Sequence, residues 1–306
     1  MKRKTLRTRR ENHLPIYLMM LPGLVYLAIN NYAPMFGMVM AFKKLNWSKG
    51  ILGSDWIGFD NFKFLFATKD AWVMTRNTIA YNLAFIVLGT VVGITLAILL
   101  SEIRSKVPKQ IYQSIILLPY FISMVMVSYL VYAMLSGETG FFNGILRSVG
   151  MEPLNWYQEK EYWPLILVIV NLWKTIGFSS IIYYSSITGI SEEYYEAARI
   201  DGATRWQQIK SITLPILVPT IITLFILNVG KMFYSDFGLF YQVPRDSGTL
   251  YPVTQTLDTY VYRGLMKLGN TGMASAAGVY QSVVGFVLVV ITNGVVRKVN
   301  RESALF

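Results

Sequence analysis

Six apolar stretches, approximately 14–42, 76–101, 110–135, 163–188, 212–235 and 273–296, are each long enough to cross a ~30 Å hydrocarbon core as helix. A chain built around such runs has few folds open to it, because only helices and closed barrels satisfy their own backbone polar groups in lipid. The second and third runs, "NTIAYNLAFIVLGTVVGITLAILL" and "IYQSIILLPYFISMVMVSYLVYAML", hold no ionisable acid or base except tyrosine. With 54% hydrophobic residues and a mean hydropathy of +0.43, the chain has too little polar surface to wet a soluble domain. The expected fold class is an all-α polytopic membrane protein with six transmembrane helices. One membrane domain spans 14–296, between a basic N-terminus at 1–13 and a short C-terminus at 297–306.

A basic start, "MKRKTLRTRR", before an apolar run also fits a secretory signal. The run is too long for one and no small-residue cleavage site follows, so a retained first helix is expected. Lysine and arginine set the orientation. Segments 1–13, 102–109, 189–211 and 297–306 hold 15 of the 28 basic residues in about fifty positions, which puts them, and both termini, in the cytoplasm. The net charge of +11 is then a topology signal rather than a nucleic-acid footprint. Outside loops are expected at 43–75, 136–162 and 236–272. Cysteine is absent, and the single histidine, His13, reads as an interfacial residue rather than a metal ligand.

Within the spans, the Gly89/Gly93 pair and "ASAAG" at 274–278 read as close helix packing. Pro119, Pro215 and Pro219 are expected to kink or loosen their helices. The charged loop at 189–211 carries its own helix signals. Ser191 can cap a first turn, Glu192 and Glu193 suit the positive end of the helix dipole, and Gly202 can end the helix in a left-handed conformation. A helix of roughly ten residues is not stable alone in water, so it needs a docking partner. Beyond it, Trp206, Ile209 and Ile212 recur at spacing three. They predict an interfacial helix that turns into the bilayer at Leu214 and Pro215, making a bent elbow with a glycine hinge.

At these residues the sequence resembles the permease subunits of binding-protein-dependent ABC importers. The signature Glu-Ala-Ala, three residues, Gly, nine residues, Ile, one residue, Leu-Pro is matched by Glu196, Ala197, Ala198, Gly202, Ile212, Leu214 and Pro215. Seven specified residues match by accident on the order of once in 10⁸ windows at average composition. "APMFGMVMAFKKLNW", "WIGFDNFKFLF", "LWKTIGFSSIIYYSSITGI" and "FYSDFGLFYQVP" extend the likeness, in its carbohydrate and oligosaccharide subgroup, over nearly the whole chain. Ile209 stands where many relatives carry phenylalanine.

The resemblance implies a type I importer half in the inner, cytoplasmic membrane of a prokaryote, with a cytoplasmic coupling helix. Its partners would be a second homologous permease, two copies of an ATPase subunit and an extracytoplasmic solute-binding protein delivering a sugar. Glu196, Ala197, Ala198, Asp201 and Gly202 would couple to the ATPase, which binds ATP and Mg while this chain binds no cofactor and is no enzyme. The sequence contains no GxxxxGK[ST] phosphate loop. An ion-coupled secondary transporter is the alternative, but it calls for midplane acids or matching broken helices in two halves, and neither stands out.

Sugars are held by aromatic faces together with polar groups. The fourth and fifth spans offer Asn171, Trp173, Lys174, Tyr183 and Tyr184, and Asn228, Lys231, Tyr234 and Asp236. Lys174 falls near midspan, where a charge faces a cavity or a partner, and two roles fit it: contact with an acidic sugar, or a structural bond between helices. Lys231 lies nearer the outer end and can snorkel.

Overall fold

The computed structural model describes residues 14–63 and 69–299; the basic segment 1–13 with His13, and residues 300–306, lie outside the described residues. Five described helices are long and apolar enough to span a membrane, and a bent pair makes a sixth.

The first span, Pro15–Phe42, starts as α1 (Leu14–Leu27) and tightens over Phe36–Phe42 into a 3-10 turn that packs on the last helix. A two-stranded antiparallel ribbon follows, β1 (Lys43–Lys44) against β2 (Asp55–Trp56). Then come α2 (Lys69–Glu102), α3 (Lys106–Phe121), α4 (Met124–Leu135), α5 (Phe141–Ser148), α6 (Trp163–Thr188), α7 (Glu192–Ile200), α8 (Leu214–Gly230), α9 (Leu257–Met266) and α10 (Thr271–Val299). The segments expected as plain outside loops therefore carry structure of their own. Asn143 shows how: fully buried, it donates to the carbonyls of Ser136, Gly137 and Leu154 and accepts from Leu154 N and Trp156 Nε1, stitching 136–156 together.

α2 and α6 form the central pair, with α3 on α6 and α8 and α9 on α10. One core, including Tyr81, Val131, Trp163, Leu167 and Phe240, lies at the end away from α7; a second, of Ala97, Tyr183, Ile187 and Leu217, lies at the α7 end. α3 and α6 meet backbone to backbone, since a Cβ on Gly177 would overlap the Ile116 carbonyl. Of the expected glycine pair, Gly93 packs on Tyr183, whereas a Cβ on Gly89 would meet nothing within 4 Å. Ala274, Ala276 and Ala277 are buried along α10, as small-residue packing requires.

Two spans depart from expectation. In the run at 110–135 the kink expected at Pro119 is a full break: α3 and α4 meet at 97° across Ile122 and Ser123. Ile122 is extended, Ser123 caps α4 by accepting from Met126 N, and Pro119 lies three residues before the break. The run at 212–235 starts earlier and stops earlier. A single span covers Arg205–Gly230, so no separate interfacial helix turns at Pro215. Ile209–Thr213 is a π-turn in which Leu214 N–H reaches back five residues to the Ile209 carbonyl. That wider turn relieves the clash between the Pro215 ring and the carbonyl four residues back, and Arg205–Gly230 continues as one span past Pro215 and Pro219. At the other end, Asn82 takes the Met232 and Tyr234 carbonyls and Gln281 takes that of Phe233. Those acceptors are lost to a helix but satisfied by neighbours, which is what irregular backbone at membrane depth requires.

Candidate functional site

α7 is built entirely from local chemistry. Ser191 Oγ accepts from Glu193 N at 3.4 Å, and two acids occupy the first turn. At the C-terminus Ala203 N–H bonds the Ala198 carbonyl at 2.8 Å and Gly202 N–H bonds that of Arg199 at 3.1 Å, with Gly202 at φ +78°. This pair of bonds around a left-handed glycine is the Schellman ending. Thr204 then caps the next span through a reciprocal box with Gln207, so only four residues separate one helix from the next. The hinge expected at Gly202 is therefore a tight, fully bonded turn.

No residue of α7 is buried. Glu196 pairs loosely with Arg199 at 3.7 Å, Ala197 and Asp201 are exposed, and Ala198 is half-buried. Its tether to the span is Tyr195 Oη, 2.9 Å from Thr213 Oγ1. Of the stripe expected at the membrane surface, Trp206 is 69% exposed and Ile209 and Ile212 are half-buried, while Gln208 and Thr213 are the positions buried against protein. A nine-residue helix with no core of its own is a surface waiting for a complement.

Lys174 has a definite place. Its Nζ donates to the carbonyls of Pro119 (3.4 Å), Tyr120 (3.2 Å) and Ile122 at the α3–α4 break, where Pro119 also accepts from Ile122 N–H at 3.2 Å. A cation at a helix C-terminus also meets the negative end of the dipole. The structural role weighed for this lysine is thus occupied, with all three of its donors in use.

The other expected pathway residues do not form one cluster within this chain. Tyr183, 2% exposed, is a core residue against Gly93. Tyr184 faces the α7 end, with Lys109 Nζ 5.7 Å from its ring. Asn171 is buried; Trp173, Asn228, Lys231, Tyr234 and Asp236 are exposed, and Asp236 Oδ1 accepts from Leu239 N. Among the described residues, no hydrogen bond, ion pair or ring contact joins the α6 set to the 228–236 set.

The opposite end holds a charge network that sequence reasoning passed over. Arg245 and Asp246 both have positive φ (55° and 48°), a conformation that costs non-glycine residues. Asp246 is held there by Arg263 Nε at 2.8 Å, by Lys267, and by Tyr251 Oη at 3.1 Å, while Arg263 lies 3.9 Å from the centre of the Tyr251 ring. Arg263 and Asp246 are 10% and 11% exposed. Burial alone would raise the Asp246 carboxyl, but the bonds from Lys267 and Arg263 outweigh it and hold it below its ordinary 3.8. A folded-state pKa below the unfolded one contributes stability that is complete above the unfolded value and lost as pH falls through the folded value. Protection of the amides over 243–250, taken against their intrinsic exchange rates, should therefore be high and flat above pH ~4 and fall at lower pH. Asp246→Asn should be less protected throughout and lack that acid-dependent loss; an unchanged acid limb would remove Asp246 as its source.

Comparison with known proteins converges on one group. The chain is 34% identical over 302 residues to the polygalacturonan/rhamnogalacturonan transport system permease protein YteP of Bacillus subtilis (strain 168), covering 99% of this chain and 94% of that one. It superposes on a chain of a bacterial ABC transporter involved in the import of the acidic polysaccharide alginate, with a TM-score of 0.86, 34% identity, and 94% and 96% of the two chains covered. A bacterial alginate ABC transporter in complex with an alginate pentasaccharide-bound periplasmic protein gives a TM-score of 0.85 at 34% identity, with 94% and 95% covered. The family model described as the binding-protein-dependent transport system inner membrane component matches residues 89–301, well over half of the sequence. With its spans, its exposed Glu-Ala-Ala helix and that match in hand, the chain belongs to the family of inner membrane components of binding-protein-dependent transport systems.

Proposed function

We propose that this chain forms half of the translocation pathway of an ATP-driven importer for acidic oligosaccharides. It is the membrane component and not itself an enzyme. The observation that carries the reading is α7: an exposed helix, bonded to the span at Arg205–Gly230 and with none of its own residues buried among the described ones. In this reading α7 faces the cytoplasm, as do both termini, and docks into an ATPase subunit that binds ATP and Mg. Glu196 and Asp201 supply polar contact, Ala197 and Ala198 allow close approach, and Gly202 sets the turn that carries force into α8.

The second permease is supported by α1, whose large apolar side chains from Ile16 to Leu27 are 45% to 83% exposed. Lipid would cover them equally well. Asn30 and Asn31, however, lie on the same uncovered span, and polar side chains in a membrane favour a protein partner. Trp173, Asn228, Lys231, Tyr234 and Asp236, exposed in the single chain, line the pathway once that partner closes it, with Lys174 as the charge in its wall. An extracytoplasmic binding protein delivers the sugar at the opposite end. Similarity to an alginate importer and to a polygalacturonan permease supports an acidic cargo, since both polymers are built of uronic acids.

The test is purification with the neighbouring subunits, intact-mass measurement and uptake in liposomes. One copy of this chain, one second permease and two ATPase copies are expected, with uronate oligosaccharides preferred over neutral ones of equal length. Two copies of this chain without a second permease would overturn the heterodimer, and a preference for neutral sugars the acidic cargo.

A further inference from the structure

At the α7 end, the termini of α2, α3 and α6, α7 itself and the start of the Arg205 span border a half-open cavity of about 650 Å³. Its apolar wall includes Ile98 and Ile187 from the last turns of α2 and α6. Four cations line it: Arg104 in the α2–α3 connection, Lys109 in the first turn of α3, Arg199 in the last turn of α7 and Arg205 at the start of the next span. Glu102 and Glu192 are its only lining carboxylates, and they meet Arg205 at 3.7 Å and Arg199 at 3.9 Å across exposed side chains, pairings that are worth little. Among the described residues Arg104 and Lys109 have no carboxylate within 4 Å, so the cavity carries two uncompensated positive charges. Gln208, 3% exposed, is in the same wall; its Nε2 donates to the Ala203 carbonyl and its Oε1 has no partner.

Cations beside an apolar wall at the level where membrane helices end suit an anionic headgroup, and a buried acceptor suits a hydroxyl beside it. The geometry points to a binding site for a hydroxyl-bearing phosphate ester, the chemistry shared by the phosphoglycerol headgroup of a lipid and by free glycerol phosphate. The site rests on the reading that this end faces the cytoplasm. Its cations come from both the α2–α3 connection and the coupling elbow, so an occupant ties α7 to the body of the bundle.

The test uses the assembled importer and native mass spectrometry, with dihexanoyl phosphatidylglycerol, dihexanoyl phosphatidylcholine and glycerol 1-phosphate as probes. Phosphatidylglycerol is expected to bind at one tight site per copy of this chain and phosphatidylcholine not to. At about 1 kcal/mol per basic residue near a membrane surface, Arg104→Gln with Lys109→Gln should weaken phosphatidylglycerol roughly thirtyfold, while Arg104→Lys with Lys109→Arg retains it. Gln208→Met should weaken it roughly fivefold and leave dihexanoyl phosphatidic acid, which has no headgroup hydroxyl, unchanged. Competition by glycerol 1-phosphate identifies a free ester as the source, and its absence a lipid. Equal retention of phosphatidylcholine, or wild-type affinity in the double glutamine variant, overturns the site. Because the readout is binding to an intact complex, failure here is distinct from failure of subunit assembly or sugar uptake.

Discussion

An importer carrying Gly202→Val should assemble and hydrolyse ATP yet lose at least nine tenths of its sugar uptake. Gly202 sits at φ +78°, and a Cβ built on it would meet nothing within 4 Å, so the substitution acts through the backbone and not through a clash. A left-handed L-residue costs roughly 1–2 kcal/mol, more for a β-branched one, and the turn can shed that strain only by giving up the bonds from Gly202 to Arg199 and Ala203 to Ala198. Those two bonds, with the Thr204 box, are what make α7 and the following span move as one body. Gly202→Asn, which tolerates the left-handed region, should keep most uptake, and Gly202→Ala should fall between. Wild-type uptake in the valine variant would remove the turn from the coupling route.

Lys174→Met is expected to damage the protein more generally. Removing the ammonium leaves the carbonyls of Pro119, Tyr120 and Ile122 without their shared donor, at a cost on the order of 3 kcal/mol. The break between α3 and α4 should loosen, with faster amide exchange over 119–124, and uptake of neutral and acidic sugars should fall together by tenfold or more. Lys174→Arg keeps a charged donor and should retain a substantial part of both. A loss confined to acidic sugars, with exchange unchanged, would instead make Lys174 a ligand contact and nothing more.

How far the sequence could be read follows from the reach of each interaction. The ends of α7 were legible because their chemistry is local: Ser191 acts two residues ahead, and the sign of φ at Gly202 is decided by a missing side chain. The family was legible in seven spaced residues. The break in the third span was legible only as a kink at Pro119; its extent was not, because the lysine that stabilises it lies 52 residues downstream of Ile122, in another helix. The early end of α8 was hidden in the same way: the groups that take its next carbonyls come from Asn82 and Gln281, 150 and 48 residues away. Tyr183 and Tyr184 read alike as pathway aromatics, yet neighbours on a helix point about 100° apart, and one fell into the core while the other turned toward Lys109. Arg104, Lys109 and Arg205 were counted as topology signals, and their convergence on one cavity depended on four chain segments meeting.

The π-turn at Ile209–Thr213 has a meaning in angular phase as well as in sterics. It holds one residue more than an α-helical turn would use, and each residue of an α-helix advances the direction of a side chain by about 100°. Because the wider turn takes up that residue locally, the residues on either side keep nearly the phase that an unbroken α-helix would give them. Deleting one residue at 209–213 would therefore restore ordinary winding and leave α7 on almost the same bearing, but it would bring the Pro215 ring back against a helical carbonyl, whereas adding a residue to the α-wound part of the span would swing α7 by about a quarter turn.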